Sequence, residues 1–282
     1  MANKSPLRID VALLPSNAQN FSLNSGLAVI IDTLRFTTSA ITAIASGAQW
    51  VQTCTTVADA LAQRNQNPSL LLCGERGGTK IDGFDLGNSP REYQSPDIAQ
   101  RCLLFSTTNG TLAVDAAHKA RVSQIVLGAL INRNAIAHQA LEFLKSAQVH
   151  PGSDPHHLQA AVTFICAGTD GLVAGEDVLT AGAMLDALHD QLVTTEVGLE
   201  NYIFSDSATI ARTLWKSVTA NSTLGPTLKD RVVNFFHQMR GGAKLVELGF
   251  GPDLSAAAAI DSRQAVPACY VSEGESTILR FQ

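Results

Sequence analysis

The sequence predicts an α/β fold, a three-layer α/β/α arrangement in which a largely parallel or mixed sheet carries helices on both faces. Two patterns lead there. Short apolar runs rich in Val, Ile and Leu recur along the chain and alternate with Ala-rich segments of helical spacing. Polar, glycine-containing stretches follow several of these runs directly, as strand-to-helix loops do, and loops of that kind gather the site in a fold of this class.

Taken in order, residues 28–31 (AVII) read as a buried strand and 38–46 as a helix. Residues 50–54 follow as a strand, then 57–63 as a helix that Thr55 or Thr56 caps. Residues 70–73, 103–105, 125–127 and 162–166 are further apolar runs, with helices at 111–119, 134–147 and 176–192. Residues 193–243 change character: fewer Gly-rich turns, and helices expected over 199–218 and 227–239, so this stretch reads as a helical, lid-like insertion. Residues 152–157 (GSDPHH) read as a surface loop, and strand-like segments return at 266–271 and 276–281. The 282 residues suit one domain spanning 1–282, with two α/β lobes, about 1–150 and 151–282, as the alternative.

Composition removes several function classes. Hydrophobic residues make up 45% and charged residues 16%, which supports a sizeable core rather than disorder. No window approaches the roughly 18 apolar residues of a membrane span, and residues 1–10 (MANKSPLRID) lack the apolar centre of a secretory signal. A cytoplasmic protein is the expectation. A net charge of −5 argues against nucleic acid as a partner while leaving room for a small anionic substrate in a locally cationic pocket. Cys54, Cys73, Cys102, Cys166 and Cys269 form no CxxC pair, so neither a disulfide framework nor a zinc site is expected. A homodimer is the base expectation for an enzyme of this size.

Four loops carry the polar chemistry. The first, Asp32-Thr33-Leu34-Arg35, offers a hard oxygen for a metal or a nucleophile, and an arginine fork for an oxyanion; a structural Asp–Arg pair at a helix start is the plainer alternative. The second, GERGGTKIDGFDLGNSP at 74–90, combines glycines whose amides suit an anion with Glu75, Arg76, Lys80, Asp82 and Asp85. The third, STTNGT at 106–111, presents hydroxyls and helix-start amides through Thr107, Thr108, Asn109 and Gly110, where helix capping by Thr107 or Asn109 is also expected. The fourth, CAGTDGLVAGED at 166–177, places Glu176 and Asp177 at a helix start, either to ligate a cation or to complement the helix dipole. Familiar phosphatase and nucleotide signatures are missing: Leu34 stands where a haloacid-dehalogenase motif needs a second Asp. Cys73 and Cys166 have no Arg six positions on, and neither a Walker loop nor HExxH occurs.

These four motifs, in this order and at these spacings, resemble the 2-phosphosulfolactate phosphatase family, and residues 248–267 (LGFGPDLSAAAAIDSRQAVP) resemble that family's ending. The resemblance implies hydrolysis of (2R)-2-phospho-3-sulfolactate to 3-sulfolactate and phosphate with Mg2+, a step of coenzyme M biosynthesis in some organisms. It implies Asp32, Arg35, Glu75, Arg76 and Asp85 as catalytic residues. Asn88, Ser89, Thr107, Thr108, Asn109, Gly110 and Thr169 become substrate contacts, and Asp32, Glu75, Asp85, Glu176 and Asp177 candidate metal ligands. Thr33, Phe36 and Cys73 depart from the family's usual Val, Ala and Gly, and Phe36 is the departure expected to reshape the pocket. Metal-activated water is the first expectation for the attacking group, the Asp32 carboxylate the second and Cys166 the third. A phosphatase acting on another small phosphorylated acid and a non-catalytic anion binder are the alternative functions.

Overall fold

The computed structural model describes residues 6–20, 23, 26–149, 160–194, 199–270 and 279–282. The strands are β1 (Leu7–Ala12), β2 (Leu27–Ile31), β3 (Trp50–Thr53), β4 (Leu71–Arg76), β5 (Thr79–Lys80), β6 (Cys102–Ser106), β7 (Gln124–Gly128), β8 (Ala160–Cys166), β9 (Tyr202–Phe204), β10 (Ala268–Tyr270) and β11 (Arg280–Phe281). The helices are α1 (Phe36–Ala45), α2 (Val57–Gln66), α3 (Gly110–Lys119), α4 (Arg133–Val149), α5 (Gly175–Val193), α6 (Asp206–Ala220), α7 (Leu228–Gln238), α8 (Arg240–Glu247) and α9 (Gly251–Ala257).

The strands form two sheets, with orders β10-β7-β2-β8-β1-β9 and β11-β3-β6-β4-β5. Inner pairings are parallel, and β10, β11 and β5 join antiparallel at the edges. The mixed α/β expectation holds, with a second sheet added. Strand alternation explains the layering. Ala28 and Ile30 face a core shared with Phe105 and Leu103 of the second sheet and with α1 and α3. Leu27, Val29 and Ile31 face the opposite way, against α4 and α5. Helices α1 and α3 therefore lie between the sheets, where Phe36 meets Phe105 edge to face at 5.5 Å. Phe36 is fully buried in this core, so its bulk packs beneath the strand-end loops instead of lining an open pocket.

The second sheet's outer face buries Trp50, Leu72 and Leu104 against Ala60 of α2, whose N-terminus Thr56 caps by accepting the Asp59 amide at 3.0 Å. A separate apolar cluster joins α5 and α6 to α7–α9 through Leu179, Trp215, Phe236 and Leu254. Each such fully buried side chain contributes about 1.5–3 kcal/mol.

Two differences from the sequence reading concern the insertion and the chain's end. The helix expected over 199–218 begins only at Asp206, capped by Ser205, because Tyr202–Phe204 instead extends the first sheet beside β1. The strand expected at 266–271 is observed at Ala268–Tyr270, and only the end of the one expected at 276–281 falls within the described residues. The loop at 152–157 lies outside them. No helix among the described residues is long and apolar enough to cross a membrane.

Candidate active site

Parallel strands β2, β4, β6 and β8 end on the loops singled out in the sequence, so the fold delivers all four to one region. Asp32 follows the buried β2 directly and is itself only 7% exposed. Its Oδ1 accepts the Phe36 amide at 3.3 Å at the start of α1, and the Thr37 hydroxyl donates to its carbonyl at 3.0 Å. Its Oδ2 faces Gly110: a methyl group built on that glycine would come within 2.6 Å of it, so the start of α3 approaches the carboxylate as only glycine permits. Burial, then Glu75 and Glu176, push the Asp32 carboxyl up to about 7, against the opposing pull of the Phe36 amide and Arg35.

Glu75, near the end of β4, accepts the Thr108 amide on Oε1 at 2.8 Å and the Gly78 amide on Oε2 at 2.7 Å. At the start of α5, Asp177 accepts the Thr33 amide at 2.9 Å and the Gly168 amide at 3.0 Å, joining the loops after β2 and β8. Burial raises its pKa well above the usual range, reinforced by Asp32 and Glu176. Asp177 thus clamps two loops, a role beyond the cation ligand or helix-dipole partner expected of it. Glu176 differs: it is buried, its Oε2 has no hydrogen-bond partner among the described residues, and burial raises its pKa while Arg240 lowers it. Thr108 Oγ1 and Asn88 Oδ1, on two other loops, are likewise buried without partners. Buried polar atoms are rarely left so, and one on each of three strand-end loops suits a polar ligand.

The other expected residues make the following contacts. Arg35 is buried and committed to the protein: it donates to Asp253 Oδ2 at 2.9 Å and to the Gly78 carbonyl at 2.6 Å, and its guanidinium lies 4.3 Å from the Phe250 ring centre. Arg76 donates to the carbonyls of Glu75 (2.7 Å) and Ser106 (3.0 Å) and to Ser106 Oγ (2.8 Å), so it braces the end of β6 and has its fork turned to backbone. Asp85 is not brought to the site. It takes the Arg64 guanidinium at 2.7–2.9 Å and the Leu72 amide at 2.8 Å, on a side chain about a third exposed. Ser89 donates to Asp253 Oδ1 at 2.7 Å and is likewise a positioning contact. Thr107 accepts the Thr111 amide at 3.3 Å from outside the helix, while Asn109, the residue at the N-cap of α3, makes no side-chain cap bond and instead accepts the Asp170 amide at 3.3 Å, linking the third and fourth loops. Thr169 pairs with Leu172 through its backbone.

The five carboxylates expected to ligate a metal thus do not form one cluster, and no group of three or more His, Cys, Asp or Glu among the described residues is arranged to hold a metal ion. Cys166 is fully buried and its thiol pKa is raised well above the ordinary value by burial, then by Asp177 and Glu176, which removes it as an attacking group.

The sequence reading missed two contributors. Asp253, 1% exposed, holds both Arg35 and Ser89; its signal was the GPDL of the quoted C-terminal stretch. Arg240, at the start of α8, donates to the Thr169 carbonyl beside Glu176, and the adjacent Gly241 packs against Glu176. A methyl group on Gly241 would collide with Glu176 Oε1. The Arg-Gly-Gly turn was the available signal.

With this geometry in hand, comparison with known proteins is informative. The family profile described as 2-phosphosulpholactate phosphatase matches residues 13–271. A protein of Deinococcus radiodurans named "Probable 2-phosphosulfolactate phosphatase" is 34% identical, covering 93% of this chain and 92% of the relative. Proteins with the same name from Synechococcus sp. (33% identical, 90% and 91% covered) and Carboxydothermus hydrogenoformans (29%, 96% and 97%) match over similar lengths. The chain belongs to the 2-phosphosulpholactate phosphatase family and is a phosphoric monoester hydrolase.

Proposed function

We propose that this protein hydrolyses (2R)-2-phospho-3-sulfolactate to 3-sulfolactate and phosphate with Mg2+, in the cytoplasm. The carrying observation is the buried Asp32 carboxyl, whose pKa is raised by burial and then by Glu75 and Glu176, together with a Glu176 Oε2 that is unpartnered among the described residues. A divalent cation relieves the repulsion from those two acids, and Mg2+ needs only one or two carboxylates beside water and phosphate oxygens. Asp32 and Glu176 are the residues to hold it, because Glu75 and Asp177 already accept two amides each and Asp85 faces Arg64. When bound, the ion offsets charge on the phosphoryl oxygens and favours ionised water.

The chain's own residues supply the rest. In this reading the Thr108 hydroxyl donates to a phosphoryl oxygen, and Asn88 Oδ1 accepts from the bound acid's hydroxyl or from water. The Glu75 and Asp177 clamps hold the loops in register, which limits the reorganisation needed at the transition state.

The test is phosphate release from phosphosulfolactate, phosphoglycolate and phospholactate, each with Mg2+ and with EDTA. Expected is kcat/KM at least about tenfold higher on phosphosulfolactate, reflecting about 1.4 kcal/mol of selective binding, and abolished by EDTA. Preference for another acid would move the substrate assignment. Release unaffected by EDTA would remove Mg2+.

A further inference from the structure

A substrate with phosphate, carboxylate and sulfonate groups needs cationic partners beyond a metal, yet Arg35 and Arg76 both spend their guanidinium groups on protein acceptors. Besides Lys80 of the second loop, which pairs with Glu75 across the hairpin, cations near the loops stand on α8. Arg240, exposed, donates to the Thr169 carbonyl and acts electrostatically on Glu176. Lys244 lies one turn on, its Cε 4.0 Å from where a Gly78 side chain would begin. Residues four apart share a helix face, so one face of α8 runs from the β8 loop beside Glu176 to the hairpin beside Glu75. Gly241 lies against the Glu176 carboxylate, since a methyl group built on it would meet Glu176 Oε1.

We infer that Arg240 and Lys244 form the acid-binding subsite. They take the carboxylate and sulfonate of the substrate while the strand-end loops take the phosphate, and they thereby select phosphorylated acids over plain phosphomonoesters. Arg240 offers a planar fork matched to two oxygens, and Lys244 a point charge. The end of the helical insertion at 193–243 is then a specificity element. The identity of the substrate rests on the phosphatase reading above; the binding of a small dianionic acid does not.

The experiment therefore has two arms on the full chain with Mg2+. In the first, calorimetry measures the Kd for 3-sulfolactate, which carries no phosphate, in wild type, Arg240→Gln, Lys244→Gln and Arg240→Lys. Arg240→Gln is expected to weaken binding about 10- to 100-fold, with partial recovery in Arg240→Lys, the range for a charge-assisted hydrogen bond. In the second, kcat/KM is compared on phosphosulfolactate and p-nitrophenyl phosphate. The variants' loss on the acid substrate should exceed that on the plain ester by about tenfold and fall mainly on KM. An unchanged Kd, wild type that does not bind sulfolactate, or equal losses on both esters would overturn the subsite. Wild type that binds sulfolactate through Arg240 but releases phosphate from no ester would overturn the phosphatase reading and leave the subsite standing.

Discussion

Replacing Asp32 by asparagine separates catalysis from stability in opposite directions. The amide side chain of Asp32→Asn retains an oxygen to accept the Phe36 N–H at the start of α1, so the local fold is kept. It carries no charge into a buried site shared with Glu75 and Glu176. The wild-type carboxyl is raised from 3.8 to about 7, a difference worth up to about 4 kcal/mol at 1.36 kcal/mol per pH unit. The sign follows from proton counting. Between about pH 4 and 7 the folded chain binds more protons at this position than the unfolded chain, so metal-free wild type loses stability as pH rises through that window. The full loss is present above about pH 7. Urea denaturation in EDTA should therefore find Asp32→Asn more stable than wild type at pH 8, by up to about 4 kcal/mol, and nearly equal to it below pH 4. Mg2+ should stabilise wild type by mass action and the variant much less, and phosphate release by the variant should fall at least about 1,000-fold. A variant less stable than wild type at pH 8, or one with wild-type turnover, would refute the reasoning.

Three further outcomes follow from the contacts. Asp253→Ala leaves Arg35 buried without its carboxylate, and should cost about 3–5 kcal/mol in urea denaturation together with a fall in turnover of at least about tenfold; a change under about 0.5 kcal/mol would contradict the bridge. Asp85→Ala removes a partly exposed pair with Arg64 and an acceptor for Leu72. It should cost about 1–2 kcal/mol with kcat within about twofold of wild type, whereas loss of turnover would return Asp85 to the site. Cys54, whose thiol burial raises to about 11, should react with iodoacetamide slowly at pH 8 and about tenfold faster per pH unit until near pH 11; fast reaction at pH 7 would contradict its environment.

Local patterning made most of the framework legible, because a buried parallel strand has to be a short apolar run and its successor helix a small-residue one. AVII at 28–31 and VTFIC at 162–166 are such cases, and both fall within observed strands. Pairing was not legible in the same way. Nothing near residue 160 says that β8 will lie between β2 and β1, since register is set by the opposing faces of distant elements. The site divides along the same line. Asp32, Glu75 and Glu176 were visible as acids at strand or helix ends, whereas the partners that decide each side chain's role were remote. Arg35 meets an aspartate 218 positions away, and Asp85 is claimed by Arg64 from a neighbouring helix. Formal charge marks where an arginine stands in the sequence; the acceptors it meets in space determine whether it remains available to a substrate.

Glu75, Asp177 and Asp253 each bind two separate segments: Gly78 with Thr108, Thr33 with Gly168, and Arg35 with Ser89. They act as staples across the strand ends, and opening any one loop leaves a buried carboxylate stripped of a donor. Loop excursions are therefore coupled to one another. The amide protons of Thr33, Gly78, Thr108 and Gly168 should exchange with solvent together, in a single sub-global unfolding event, and not by independent fraying.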